Sequence, residues 1–103
     1  MRWVESIRLQ TVGPGGRTVK GNLAQLTHSV RQDRGWRGLV DVMLYSHASV
    51  PGLFALALLW ETESPHREGS VLGQSLVQAL KEFGMVNHVV WIAEESDDHP
   101  ATM

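Results

Sequence analysis

The chain contains no cysteine. That excludes disulfides, iron–sulfur clusters and thiolate zinc sites, and fits a reducing compartment. It has no excess of positive charge: 9 Lys and Arg stand against 11 Asp and Glu, a formal net charge of −2. A basic footprint for nucleic acid is therefore missing. No apolar run approaches the length of a membrane span, and the opening residues MRWVES lack the apolar stretch of a signal peptide. The sequence reads as cytoplasmic, with no membrane partner. Internal repeats and low-complexity linkers are also absent.

Catalytic signatures are just as scarce. Gly13-Pro14-Gly15-Gly16-Arg17-Thr18 lacks the third glycine of a dinucleotide fingerprint, and Gly16–Asn22 lacks the Lys-Ser/Thr of a phosphate loop. The segment reads as a strand-to-helix turn. The histidines His28, His47, His66, His88 and His99 include no pair at helical metal-binding spacing and no accompanying carboxylate cluster, so no metal site is expected. No local signature of a Ser-His-Asp triad is present. Glu61, Glu63, Glu94 and Glu95 fall at strand ends, where solvated charge is normal.

What is present is a strong pattern. Trp3–Val12 alternates, with Trp3, Glu5, Ile7 and Leu9 on one face and Val4, Ser6, Arg8 and Gln10 on the other, as a strand requires. Val19, Leu23, Leu26 and Val30 then recur at helical spacing, and Gly35 is a natural C-terminal stop. Leu39–Ser46 is a second strand. His47–Gly52 is a polar connection ending in a Pro-Gly turn, and Leu53–Trp60 returns from it, so the two strands form an antiparallel hairpin. Ser64-Pro65 is a candidate helix start, with Gly69-Ser70 as an interruption or restart. Leu72, Leu76, Ala79, Leu80 and Phe83 form an apolar stripe that Gly84 ends. Val86–Ala93 is the last strand.

The order strand, helix, strand, strand, helix, strand predicts an α+β, ferredoxin-like fold: a four-stranded antiparallel sheet with both helices on one face. Residues 1–95 form the domain and 96–103 a flexible C-terminal tail. The strand LFALALLW is apolar at every position, so it asks for burial on both faces. One helix layer covers only one of them. A second copy of the chain, packed sheet to sheet, is expected to cover the other. The same strand has no Lys or Arg, which sets aside an RNA-recognition module of the same topology.

Four tryptophans are many for 103 residues. Trp60, at a strand end, reads either as the wall of an aromatic-lined pocket or as a packing anchor. His66 follows at the mouth of the space between sheet and second helix.

Gly35-Trp36-Arg37-Gly38-Leu39 leading into Val40–Tyr45, and Leu58-Leu59-Trp60-Glu61-Thr62-Glu63-Ser64 after it, resemble the antibiotic-biosynthesis-monooxygenase-like group of dimeric α/β-barrel proteins. The resemblance covers roughly residues 3–94. It implies homodimers paired through their sheets, and a ligand cavity between sheet and helices lined by Trp60. It also implies oxidation of aromatic substrates by molecular oxygen with no cofactor, neither metal nor flavin. Haem-degrading relatives carry an Asn on strand one and a His along helix two; neither is found here, and haem is not expected as a ligand. The resulting expectation is a cofactor-independent monooxygenase-like protein that binds a small hydrophobic or aromatic substrate. In it Trp60 lines the site, Arg8 stabilises an anionic substrate, and Tyr45 or His66 handles a proton. The alternative is a non-catalytic small-molecule-binding or accessory homodimer.

Overall fold

The computed structural model describes residues 1–13 and 16–94; the tail expected at 96–103 lies outside them. Six elements follow in chain order: β1 (Arg2–Thr11), α1 (Gly16–Gln32), β2 (Leu39–Ser46), β3 (Leu53–Glu61), α2 (Val71–Leu80) and β4 (Gly84–Ile92). The strands form one antiparallel sheet in the order β2-β3-β1-β4. This is the predicted ferredoxin-like topology. Helix α1 packs on β2, and α2 on β1 and β4. No described helix is long and apolar enough to cross a membrane.

Register fixes the two faces. Trp3 lies opposite Trp60 and Ile92, and Ile7 opposite Leu56 and His88. The odd positions of β1 therefore share the helix-covered face with the even positions of β3 and β4. That face carries the core: Trp3, Ile7, Leu9, Phe54, Leu56, Leu58 and Trp60, closed by Leu23 and Val30 of α1 and Leu72, Leu76 and Leu80 of α2. The other face of β3 (Leu53, Ala55, Ala57, Leu59) is half-buried in the single chain.

Three local readings change. Helix α1 ends at Gln32, before Gly35, and Gly35 is not among the positive-φ glycines. The stop is made by Asp33, whose side chain accepts the Gly35 N–H at 2.8 Å and offers the backbone a turn in place of another helical bond. In β2 the alternation slips at Val40, where a bulge between Leu39 and Asp41 puts Leu39 and Val42 on one face and exposes Val40. Arg31 of α1 steadies the bulge through an ion pair to Asp41 and a hydrogen bond to the Val42 carbonyl. Helix α2 begins at Val71, not at Ser64-Pro65, with Ser70 as its N-cap.

At the sheet end, Glu61 closes β3 against the start of β1. Its carboxylate accepts a hydrogen bond from Arg2 Nε at 2.9 Å and lies 3.1 Å from the Met1 amino group. The Arg2 hydrogen bond, with the Met1 ammonium second, holds its carboxyl below the ordinary range. A depressed carboxylate contributes stability above its unfolded pKa and loses it as pH falls through the folded value. Glu61→Gln should therefore lower the melting temperature slightly at neutral pH and low salt. The difference from the parent should vanish in strong acid; a difference that persists there would assign the effect to packing instead.

Candidate functional site: a buried carboxylate beneath helix α2

Glu5 is the chemical anomaly of the core. Strand parity sets it between Trp3 and Ile7 on the helix-covered face, and it is 0% exposed. A buried carboxylate is tolerated only when its oxygens are satisfied. Oε1 accepts the indole N–H of Trp60 at 2.8 Å and the hydroxyl of Ser70 at 2.5 Å. Oε2 accepts the Ser70 backbone N–H at 3.0 Å and lies 2.8 Å from Nε2 of His88. These partners come from β3, the N-cap of α2 and β4.

Ser70 serves twice. Its hydroxyl accepts the Gly73 N–H at 2.9 Å, the usual N-cap bond, so its own hydrogen is free for Glu5. The positive end of the α2 dipole is favourable for the negative charge beside it. Close approach depends on Gly73: a Cβ there would fall inside the carboxylate, 2.7 Å from Cδ of Glu5. Gly69, at φ +98°, lies against the His88 ring, where a Cβ would sit 3.0 Å from both Glu5 Oε2 and His88 Nε2.

Beside the carboxylate stands a column of rings. Trp3 stacks on Trp60 at 5.5 Å between centroids and on His66 at 5.4 Å. The Trp3 N–H is held by Thr62 at 2.8 Å. Both indole N–H groups are thus engaged inside the chain, and Trp60 is 5% exposed. His66 is the exposed end of the column.

The four residues singled out in the sequence divide between the faces. Trp60 and His66 meet through Trp3 on the helix side. Arg8 and Tyr45 lie on the open side: Arg8 pairs in register with Ala55 and Asn87, and Tyr45 with Ala55. Those two border a separate cleft of about 240 Å³ with Leu53 and Ala55. The two pairs thus lie on opposite faces of the sheet. Glu5, Ser70 and His88 were missed. The available signal was an ionisable residue in the buried phase of β1, together with a Gly-Ser-x-x-Gly helix start. Among the other histidines, His47 accepts the Ser49 and Val50 N–H groups at 3.0 Å and shapes the β2–β3 loop. Among the described residues no group of His, Asp or Glu could hold a metal ion.

The architecture is thus a split βαβ domain whose helix layer covers a satisfied carboxylate and a stacked indole pair. No family model and no curated protein sequence matches the chain. Solved structures do match in fold. SnoaB, a cofactor-independent oxygenase from Streptomyces nogalater seen in a mutant form, has a TM-score of 0.66 at 12% identity, over 94% of this chain and 97% of that one. A Deinococcus radiodurans protein proposed to be an antibiotic biosynthesis monooxygenase has a TM-score of 0.67 at 15% identity, over 91% and 94%. Rv0793 from Mycobacterium tuberculosis has a TM-score of 0.65 at 17% identity, over 94% and 99%. The likeness runs the length of the domain, and the chain shares the fold of these proteins.

Proposed function

We propose that the protein is a homodimeric, cofactor-independent oxygenase-like protein for a small electron-rich aromatic molecule. The observation that carries this reading is the His66–Trp3–Trp60 column beside Glu5, set in the fold of a cofactor-independent oxygenase. A flat ring is recognised by aromatic faces. His66 ends the column at the surface, so a planar substrate can take its place on the face of Trp3. The displaced His66 is the group this proposal assigns to accept the proton whose loss makes a phenol or anthrone reactive towards oxygen. For an anthrone the balance is one CH₂ and one O₂ giving one carbonyl and one water. The protein's part is orientation and stabilisation of the anion. Arg8 and Tyr45 belong in this proposal to the sheet face that a second copy covers, and their role is in the interface.

A second reading, a non-catalytic accessory dimer, is favoured by one specific fact: Trp60 is nearly enclosed and its N–H is already committed to Glu5. Oxygen uptake with 1,8-dihydroxyanthrone separates the two. On the oxygenase reading the protein accelerates uptake, and Trp60→Phe lowers kcat/KM about tenfold or more. Because that change deletes one donor to a buried carboxylate, it should also cost about 1–2 kcal/mol of stability. A lower melting temperature with no protein-dependent uptake in the parent would decide for the accessory dimer.

A further inference from the structure

We infer that Glu5 and His88 form a carboxylate–imidazole dyad whose free nitrogen, His88 Nδ1, accepts a proton or hydrogen bond from a small uncharged ligand in the cleft between α2 and β4. This site lies on the β4 side of α2, away from the indole column, and does not rest on the oxygenase reading.

The donor inventory leads to it. Trp60 Nε1 and the Ser70 backbone nitrogen can only donate. The Ser70 hydroxyl accepts from Gly73 and donates to Glu5. An ionised Glu5 can only accept, and with Glu5 in that form the nitrogen facing it at 2.8 Å, His88 Nε2, carries the hydrogen. That fixes the tautomer of a neutral ring: with Nε2 protonated, Nδ1 keeps its lone pair. Nδ1 has no hydrogen-bond partner among the described residues. Nor is it enclosed, because no buried side-chain nitrogen or oxygen among them lacks a partner. A carboxylate behind an imidazole whose other nitrogen is unpartnered is the arrangement that orients a base and stabilises the imidazolium it becomes.

His88 opens into a cleft of about 480 Å³, lined also by Glu68, Gln74, Ser75, Val77 and Gln78. Gln74 spends its amide N–H groups on the carbonyls of Glu68 and Gly69, at 3.2 and 3.3 Å, which leaves its amide oxygen as an acceptor. The lining has no cation, and Glu68 and Glu5 bring negative charge, so anions are disfavoured. The ligand class that fits is a small uncharged molecule offering a hydroxyl or ring N–H. On proton transfer its O–H or N–H bond breaks, an Nδ1–H bond forms, and the Glu5 carboxylate faces the resulting imidazolium. His88 is the group that touches the ligand, and Glu5 is a positioning residue.

The test is nitrogen NMR of the full chain labelled at histidine, with phenol as probe. The expected spectrum has His88 Nε2 protonated and Nδ1 unprotonated, and phenol moves the Nδ1 resonance saturably. His88→Gln, whose amide can still donate to Glu5, should keep the melting temperature near the parent's and weaken phenol binding about tenfold. Glu5→Gln should shift Nδ1 towards its protonated position, a change that a purely structural role would not produce. If that variant does not fold, the parent spectrum and His88→Gln decide. A hydrogen on Nδ1, an imidazolium with both nitrogens protonated, an Nδ1 resonance unmoved by millimolar phenol, or unchanged phenol binding in His88→Gln would each overturn the inference.

Discussion

Gly73→Ala should lower the stability of the protein by about 3 kcal/mol in urea unfolding. The position is helical and not strained, so in open surroundings alanine would be worth roughly 1 kcal/mol more than glycine. The loss expected here comes from one place: the added Cβ occupies the space of the Glu5 carboxylate. Either α2 lifts from the sheet or the carboxylate turns from its donors. Glu5→Ala should itself cost about 3–5 kcal/mol, because it strands the Trp60 N–H and the Ser70 N–H in the core. In that background the cavity receives the new methyl, and Gly73→Ala should become nearly neutral or stabilising. The double-mutant cycle should thus show a coupling of about 2–3 kcal/mol. Additive costs would mean that Gly73 is required for some reason other than the carboxylate.

Adjacent aspartates on β3 should fail in different ways. Leu56 is 2% exposed and belongs to the core, so Leu56→Asp should leave the chain unfolded. Ala57 faces the open side, opposite Ser6 on β1 and Met43 on β2. That side carries exposed Tyr45, Met85 and Trp91, with half-buried Val4, Met43, Leu59 and Val89 among them. This is the surface that a second copy is expected to cover. Sedimentation of the parent at micromolar concentration should give twice the 11.4 kDa chain mass. Ala57→Asp should weaken the dimer on the order of 100-fold and leave a folded monomer, because the new charge is buried only on association. A parent that sediments as a monomer, or an Ala57→Asp variant that remains a dimer, would remove the second copy from the open face.

The order of elements was legible because each obeys its own period. Trp3 to Leu9 alternates without a slip, and the stripes through Leu23 and Leu76 are helical. The continuous apolar run forms β3, which lies between β1 and β2 in the sheet. Local competition hid the rest. Asp33 ends α1 by a side-chain bond that outranks the more obvious glycine two residues on, and the Val40 bulge changes the parity of β2. Parity alone also could not say whether Arg8 and Tyr45 share a face with Trp60. That depends on pairing register, which is a property of two strands together. The Glu5 site was hidden most deeply, because its partners lie 55, 65 and 83 positions away.

Those separations bear on the order of assembly. Long-range contacts close late, because chain entropy must be lost before they are made. Glu5 adds a second delay: stripping water from the carboxylate is unfavourable until all three supporting elements have arrived. Strands β1, β3 and β4 should therefore pair around a still-hydrated Glu5, with the docking of the α2 N-terminus as the last event. In kinetic terms Ser70→Ala should leave the refolding limb of the chevron almost unchanged and steepen the loss through faster unfolding. The carboxylate would then act as a latch on the finished domain, governing how long the native state lasts more than how quickly it is reached.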